Sequence, residues 1–379
     1  MTRKLGDLGT FIKGAPLSKA DISDEGVPFI LYGELYTTYS EVTHSVKRKT
    51  NKIVEQQFYS KIGDVIMPTS GETPEDIATA SCIMLPDVIL AGDLLIYRTE
   101  QIDGRFVSYA IKNKVNKQIS SVAQGKSVVH VRAEELAKIC VTFPVLDEQK
   151  KILDFLELLD ARIKTQQSLI ETLKKYKRGL ISRLEDRFSN MVEYHRIGDF
   201  YKVQGGFSFK SECFCDAGTP VIRISDINDG KVTVDEAVCY PNDIKIDNRY
   251  SLQKGDLLIA MSGATTGKTG ICEFKGNAYL NQRVGKFIPT DPTMTIEYLA
   301  MIVDSDSFSK SLLNLLVAGA QPNISPMDIE SIVVPVFSST IRKTITNILL
   351  GINRSISIHE ELLFGSTEMK AGLLQQLFI

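Results

Sequence analysis

Hydrophobic positions between Leu146 and Arg187 recur at alternating steps of three and four: Ile152, Leu156, Leu159, Ile163, Ile170, Leu173, Leu180 and Leu184, with Gln166 and Lys177 in the remaining slots. The stretch holds no proline, and its only glycine is Gly179. A heptad pattern sustained over more than four repeats predicts a coiled-coil helix rather than a helix packed on a globular core. At ~1.5 Å per residue such a helix would be roughly 60 Å long. One helix cannot bury its own seam, so the pattern demands a partner. Ser338 to Ile379 supplies it, with Ile345, Leu349, Ile352, Ile356, Leu363, Leu373 and Leu377, and with His359, Ser366 and Lys370 in the other slots. Each position stands 193 residues after its counterpart, as Ile345 does after Ile152 and Leu377 after Leu184.

The segments before the two helices repeat as well. Leu5-Gly6-Asp7 matches Ile197-Gly198-Asp199, and Val27-Pro28-Phe29-Ile30 matches Thr219-Pro220-Val221-Ile222. Ile62-Gly63-Asp64-Val65-Ile66 matches Lys254-Gly255-Asp256-Leu257-Leu258, and Ser70-Gly71-Glu72-Thr73 matches Ser262-Gly263-Ala264-Thr265. All four pairs keep one offset, 192 residues, which marks an internal duplication. The chain therefore divides into a globular domain (1–146), a long helix (147–187), a second globular domain (188–337) and a second long helix (338–379). A pseudo-twofold relation between the halves would make the helices antiparallel. Within each domain, the Val27 and Thr219 segments read as strand then loop. The Gly-Asp segments read as a turn into a buried strand that opens into a Ser-Gly loop. Thr295 to Leu316 is expected to be helical, with Gly104 to Val122 as its counterpart, and β-rich runs close the domains at Ile139 to Val145 and Ile332 to Phe337. The fold class expected is α+β.

Composition narrows the possibilities. Hydrophobic residues make up 43% and charged residues 24%, as in ordinary soluble proteins. No basic and then apolar leader appears, nor any apolar run long enough to span a bilayer, so a cytoplasmic protein without membrane contact is expected. The six cysteines are scattered, and the one close pair, Cys213 and Cys215, lacks zinc spacing. The net charge of −2 is spread as zero over 1–146, +2 over 147–187, −5 over 188–337 and +1 over 338–379. Neither globular domain has the basic balance of a stand-alone nucleic-acid binder, so any such surface must be a local patch or need a partner.

Catalytic signatures are missing. Gly263 to Thr269 has three residues between its glycines where a phosphate-binding loop needs four. No nucleophile elbow, zinc-protease helix or adenine-methyltransferase Pro-Pro motif occurs. Glu148-Gln149-Lys150 reads as a solvated helix turn rather than a nuclease centre. The binding candidates are polar and cationic loop residues. Lys47, Arg48 and Lys49, with Lys52 near Tyr32, Tyr36 and Tyr39, form a basic-aromatic cluster suited to phosphates. Ser70, Thr73 and Lys126 in the first domain, and Arg223, Ser262, Thr265, Lys268, Gln282, Arg283, Gln321 and Asn323 in the second, can meet phosphates or base edges.

These motifs, in this order and duplicated, resemble the specificity (S) subunits of Type I restriction–modification enzymes. The resemblance rests on the paired Gly-Asp strands with Ser-Gly loops, Asn281-Gln282-Arg283, Gly319-Ala320-Gln321-Pro322-Asn323-Ile324-Ser325, the helix start Pro144 to Ile152 and the helix end Gly179 to Leu184. It covers the whole chain. It implies two target-recognition domains, each reading half of a bipartite double-stranded DNA target, separated by an antiparallel coiled coil that sets the spacing. It also implies two methyltransferase subunits docked on the chain and restriction/translocase subunits joining them. S-adenosylmethionine, ATP and magnesium would serve those partners and not this chain. The first domain shows no clean counterpart of Asn281-Gln282-Arg283, and the second helix opens on Ser338-Ser339-Thr340 instead of an acidic turn. Three rival readings remain: a specificity subunit of a methyltransferase system lacking the translocase, a coiled-coil adaptor that binds no DNA, and an enzyme with a disguised site.

Overall fold

The computed structural model describes residues 1–123, 129–188, 192–318 and 323–378. They form two compact units, one of residues 1–166 with 362–379 and the other of residues 167–361. Each unit holds one globular domain and a share of both long helices.

In the first unit a five-stranded sheet runs Gly9–Lys13, Leu94–Thr99, Asp64–Pro68, Ser81–Ile83, Val42–Thr43. A three-stranded sheet, Lys49–Thr50, Val27–Leu31, Ile89–Ala91, lies beside it in the chain order. The second unit repeats the plan. Its main sheet runs Tyr201–Gly205, Val284–Pro289, Leu257–Ala260, Thr269–Cys272, Gly230–Val232, Ile227–Asn228. Its smaller sheet is Cys239–Tyr240, Thr219–Ile222, Ala278–Leu280, Ser251–Leu252. Even the parallel pairings recur: Val27–Leu31 with Ile89–Ala91, and Thr219–Ile222 with Ala278–Leu280.

The repeated sequence motifs are the turns that this plan needs. Gly63 and Gly255 sit at φ +93° and +96°, a region open to glycine at no steric cost. The aspartate after each glycine accepts a backbone N–H three residues upstream, Lys61 to Asp64 and Gln253 to Asp256, both at 2.8 Å. Each aspartate also holds a cation: Arg98 at 2.9 Å from Asp64, and Lys286 at 2.7 Å from Asp256. Gly6 and Gly198 are close approaches, where a Cβ would press on Ala137 at 2.9 Å and Glu330 at 3.0 Å. The β-rich runs pair with the domain starts, Cys140–Thr142 on Thr2–Lys4 and Val333–Phe337 on Val192–Arg196.

The long helices are Leu146–Arg187 and Ser339–Leu377. In the first unit the start of the first helix, through Leu153 and Leu156, shares a core with Leu374 and Phe378 at the end of the second. In the second unit Leu180, Ile181 and Leu184 share a core with Ile345, Leu349 and Ile352. The helices therefore run antiparallel within each unit. Every expected seam residue is buried or half-buried except Leu377, which is 36% exposed. Phe378 takes its place, buried between Phe106 and Tyr109 at ring distances of 4.9 and 6.0 Å. The helix has ended there, so the larger aromatic and not the next heptad position decides which side chain turns inward. The seam is also wider than a two-position stripe: Leu153 and Ile181, one residue beyond seam positions, are buried against the globular cores.

Three further expectations are corrected. Thr295 to Leu316 is two helices, Ile296–Val303 and Asp306–Ala318, because buried Ser305 accepts the N–H of Phe308 and starts the second one. Gly104 to Val122 divides likewise into Gly104–Asn113 and Asn116–Val122. Gln149 is not solvated but fully buried: its amide accepts from the N–H of Asp103 at 3.0 Å and donates to the carbonyl of Pro144 at 2.8 Å, locking the helix start to its domain. Among the described residues no helix is long and apolar enough to cross a membrane.

Candidate nucleic-acid interface

In both domains the central strand, Asp64–Pro68 or Leu257–Ala260, ends where three loops are tied together by backbone hydrogen bonds. In the second domain the N–H of Met261 donates to the carbonyl of Arg283 at 2.9 Å, and its carbonyl accepts from the N–H of Ile324 at 2.9 Å. The N–H of Gln282 donates to the carbonyl of Phe207 at 2.9 Å. The first domain makes the same three bonds: Thr69 to Asp93 at 2.8 Å, Val131 to Thr69 at 3.1 Å and Gly92 to Ala15 at 2.9 Å. This brace supplies the alignment that the sequence withheld. Ala91-Gly92-Asp93 is the counterpart of Asn281-Gln282-Arg283, and His130-Val131 is the counterpart of Asn323-Ile324.

The second-domain candidates gather around this brace. Lys268, Gln282 and Arg283 are exposed, and neither cation forms an ion pair among the described residues. The turns at Ile224–Asp226 and Gly263–Thr265 adjoin, with Ile224 against Gly263. Here the Arg223 Nε, the Ser262 hydroxyl and the Thr265 hydroxyl are buried atoms without a hydrogen-bond partner among the described residues. Arg223 lies 3.9 Å from Asp226, too far for a hydrogen bond. Unpaired buried polar atoms are costly, and three of them gather at these adjoining turns. Asn323 is exposed and its side chain stands at the third loop of the brace.

The first-domain candidates behave differently. Ser70 is buried and Ser70–Gly71 is a short strand paired with Val129–His130 rather than an open loop, and the Ser70 carbonyl accepts the Tyr36 hydroxyl at 2.7 Å. Burial, with Asp76 nearby, pushes the Tyr36 phenol up, keeping it a donor. Thr73 caps the helix Pro74–Ile77, accepting from the N–H of Asp76 at 3.2 Å. Arg48 is engaged with buried Glu34 at 3.0 Å, and Lys52 with Asp21 at 3.6 Å. Lys47 and Lys49 are exposed and make no ion pair among the described residues. A cleft of about 950 Å³ opens beside this cluster, lined by Lys13, Leu17, Lys19, Tyr32, Arg48 and Asp93 among others. Lys126 and Gln321 lie outside the described residues, as do Gly319, Ala320 and Pro322.

The comparisons with known proteins agree with the duplication. The family model described as the Type I restriction modification DNA specificity domain matches twice, over residues 1–175 and 190–363. The MjaVIII Type I restriction enzyme specificity subunit of Methanocaldococcus jannaschii is 26% identical over 378 residues, covering 94% of this chain and 86% of that protein. The EcoKI specificity subunit of Escherichia coli K12 is 22% identical over 395 residues, covering 91% and 84%. The crystal structure of the Type I restriction–modification S subunit from M. genitalium shares the fold with a TM-score of 0.69 at 16% sequence identity, covering 100% of this chain and 96% of that one.

Proposed function

From the premise that the chain belongs to the Type I restriction modification DNA specificity family, we propose that each globular domain reads one half of a bipartite DNA target. The chain is a DNA-recognition subunit. The observation that carries the reading is the brace built twice, which presents divergent side chains from loops tied by the same three backbone bonds. In the second domain Arg223, Ser262, Thr265, Lys268, Gln282, Arg283 and Asn323 supply donors for base edges and phosphates. In the first, Tyr32, Lys47, Lys49 and the cleft beside them take that role, with Arg48 fixed by Glu34 as their support. The long helices hold the half-site readers at a set spacing.

Methyl transfer and cleavage belong to partner subunits, and S-adenosylmethionine, ATP and magnesium with them, in the cytoplasm. Phe155, Leu169 and Tyr176 are exposed at heptad steps on the first helix, and Ile348, Leu362 and Met369 are exposed 193 residues later on the second. Two repeated sets of exposed apolar side chains, interrupted by Arg162 on the first helix and Ser355 on the second, suit two methyltransferase subunits, and restriction/translocase subunits join through them. The test is sequencing of methylated DNA from cells that express this chain with its methyltransferase. One bipartite motif, absent when either protein is left out, is expected. Methylation without the chain, or transfer by the purified chain alone, contradicts the proposal.

A further inference from the structure

The turn that joins the two sheets makes the same two brace bonds in both domains, yet it carries opposite charge. Arg283 and Asp93 occupy the same place in the brace: each gives its carbonyl to the N–H of the residue that follows the central strand, at 2.9 and 2.8 Å. The preceding residues match as well, since Gln282 and Gly92 each donate to the carbonyl of the residue after the domain's first glycine turn. Both side chains are exposed, and neither forms an ion pair among the described residues. For Asp93 this is notable because Lys13, Lys19 and Arg48 line the same cleft. Asp93 shares this cleft with the three cations and pairs with none of them among the described residues.

The chemistry of the two residues on DNA is opposite. Arginine has only donors, and its most frequent specific partner is the O6 and N7 acceptor edge of guanine. An ionised aspartate has only acceptors, and phosphate oxygens repel it, so on DNA it can approach with gain only a donor, the exocyclic amino group of a base. The geometry points to one reading device used twice with reversed hydrogen-bond polarity: Arg283 selects a guanine in one half-site, and Asp93 selects an amino-bearing base, cytosine through N4 in the first place, at the corresponding position of the other. This inference rests on the reading that each domain recognises a half-site, and it adds which residue sets one base pair in each.

The experiment uses the full chain with its methyltransferase, and the methylated motif is read by sequencing for the parent and three variants. Asp93→Asn should relax one position of one half-site, losing roughly tenfold or more in discrimination at a cytosine or adenine, and leave the other half-site unchanged. Asp93→Arg should move that position towards guanine. Arg283→Gln should relax one guanine of the opposite half-site only. Where a variant complex is inactive, competition binding against oligonucleotides that differ by one base pair per half-site gives the same readout. Undiminished selectivity in Asp93→Asn overturns the inference. So does an even loss of binding to all sequences in Arg283→Gln, which would make that residue a phosphate contact. A parent complex that recognises no bipartite sequence removes the underlying reading itself, so the two failures are told apart by the parent alone.

Discussion

The first domain holds Asp93 where the second holds Arg283, and the segment after its central strand carries Glu72, Glu75 and Asp76 where the second has Lys268. Both domains nevertheless make the same brace bonds through Asp93 and Arg283. The bonds that hold the face together are made by N–H and C=O groups that every non-proline residue owns, so the side chains above them can reverse sign without disturbing the fold. Beneath the face the domains also differ in how deeply they bury equivalent ions. Asp64 is 3% and Arg98 18% exposed, whereas Asp256 and Lys286 are 20% and 19% exposed. At the helices, seam residue Lys370 pairs with Asp160 of the opposite helix at 2.6 Å, while Lys177, its repeat counterpart, pairs with Asp304 of its globular domain at 2.9 Å. One plan thus tolerates different local solutions.

The largest way to separate the units is through Phe378. Its ring is 1% exposed and packs on Phe106 and Tyr109, and truncating a buried aromatic costs about 3–5 kcal/mol. In Phe378→Ala, hydrogen exchange should accelerate in residues 1–166 and stay unchanged in 192–318. Uniform acceleration would show that the two units unfold as one.

A smaller contrast comes from the motif aspartates. Asp64→Asn strips the charge that faces a mostly buried arginine, at about 3 kcal/mol. Asp256 is itself more exposed, at 20% against 3% for Asp64, so Asp256→Asn should cost about 1 kcal/mol. Equal shifts in urea midpoint for the two variants would remove the distinction drawn from burial.

On the binding face, each lysine that contacts phosphate contributes to the salt dependence of binding. Lys47→Ala, Lys49→Ala and Lys268→Ala should each lower the slope of log K against log salt by about 0.9 while leaving the motif unchanged. An unaltered slope would remove that residue from the interface.

The smallest effect is in acid. Burial would raise the Glu41 carboxyl, but Lys112 at 2.8 Å and Lys370 at 3.6 Å outweigh it and hold the group below the usual range. A depressed carboxylate gives stability that is complete above its unfolded value of about 4.3 and lost as pH falls through the lower folded value. At Glu360 burial likewise works to raise the carboxyl, but Lys231 and Lys174 together outweigh it, so this group does the same in the second unit. Urea melts between neutral pH and pH 3 should show the first unit losing stability in this window, and Glu41→Gln should flatten that dependence.

Much of this was legible in the chain itself. The heptads gave both long helices to within two residues at either end, because a seam that must be buried leaves a strict period. The Gly-Asp motifs marked the turns because only glycine suits those backbone angles and only a short carboxylate reaches back three residues. The turn at Ala91-Gly92-Asp93 left no comparable signal. Its likeness to Asn281-Gln282-Arg283 lies in backbone bonds alone, and the repeat offset slips from 192 at the Gly-Asp motif to 190 there. Thr73 and Arg48 looked available for DNA because their types suit it, but a cap and a buried glutamate already use them. Which polar residue is spent inside the fold depends on neighbours distant in the chain.

The account stands most directly on the independence of the two readers. Residues 188–337 would be replaced by the corresponding domain of another specificity subunit, and the methylated motif of the chimera, with its methyltransferase, compared with that of the parent. The account predicts that one half-site takes the donor's sequence while the other half-site and the spacer stay as they were. A change in both half-sites, or a motif with no gap between them, would contradict it.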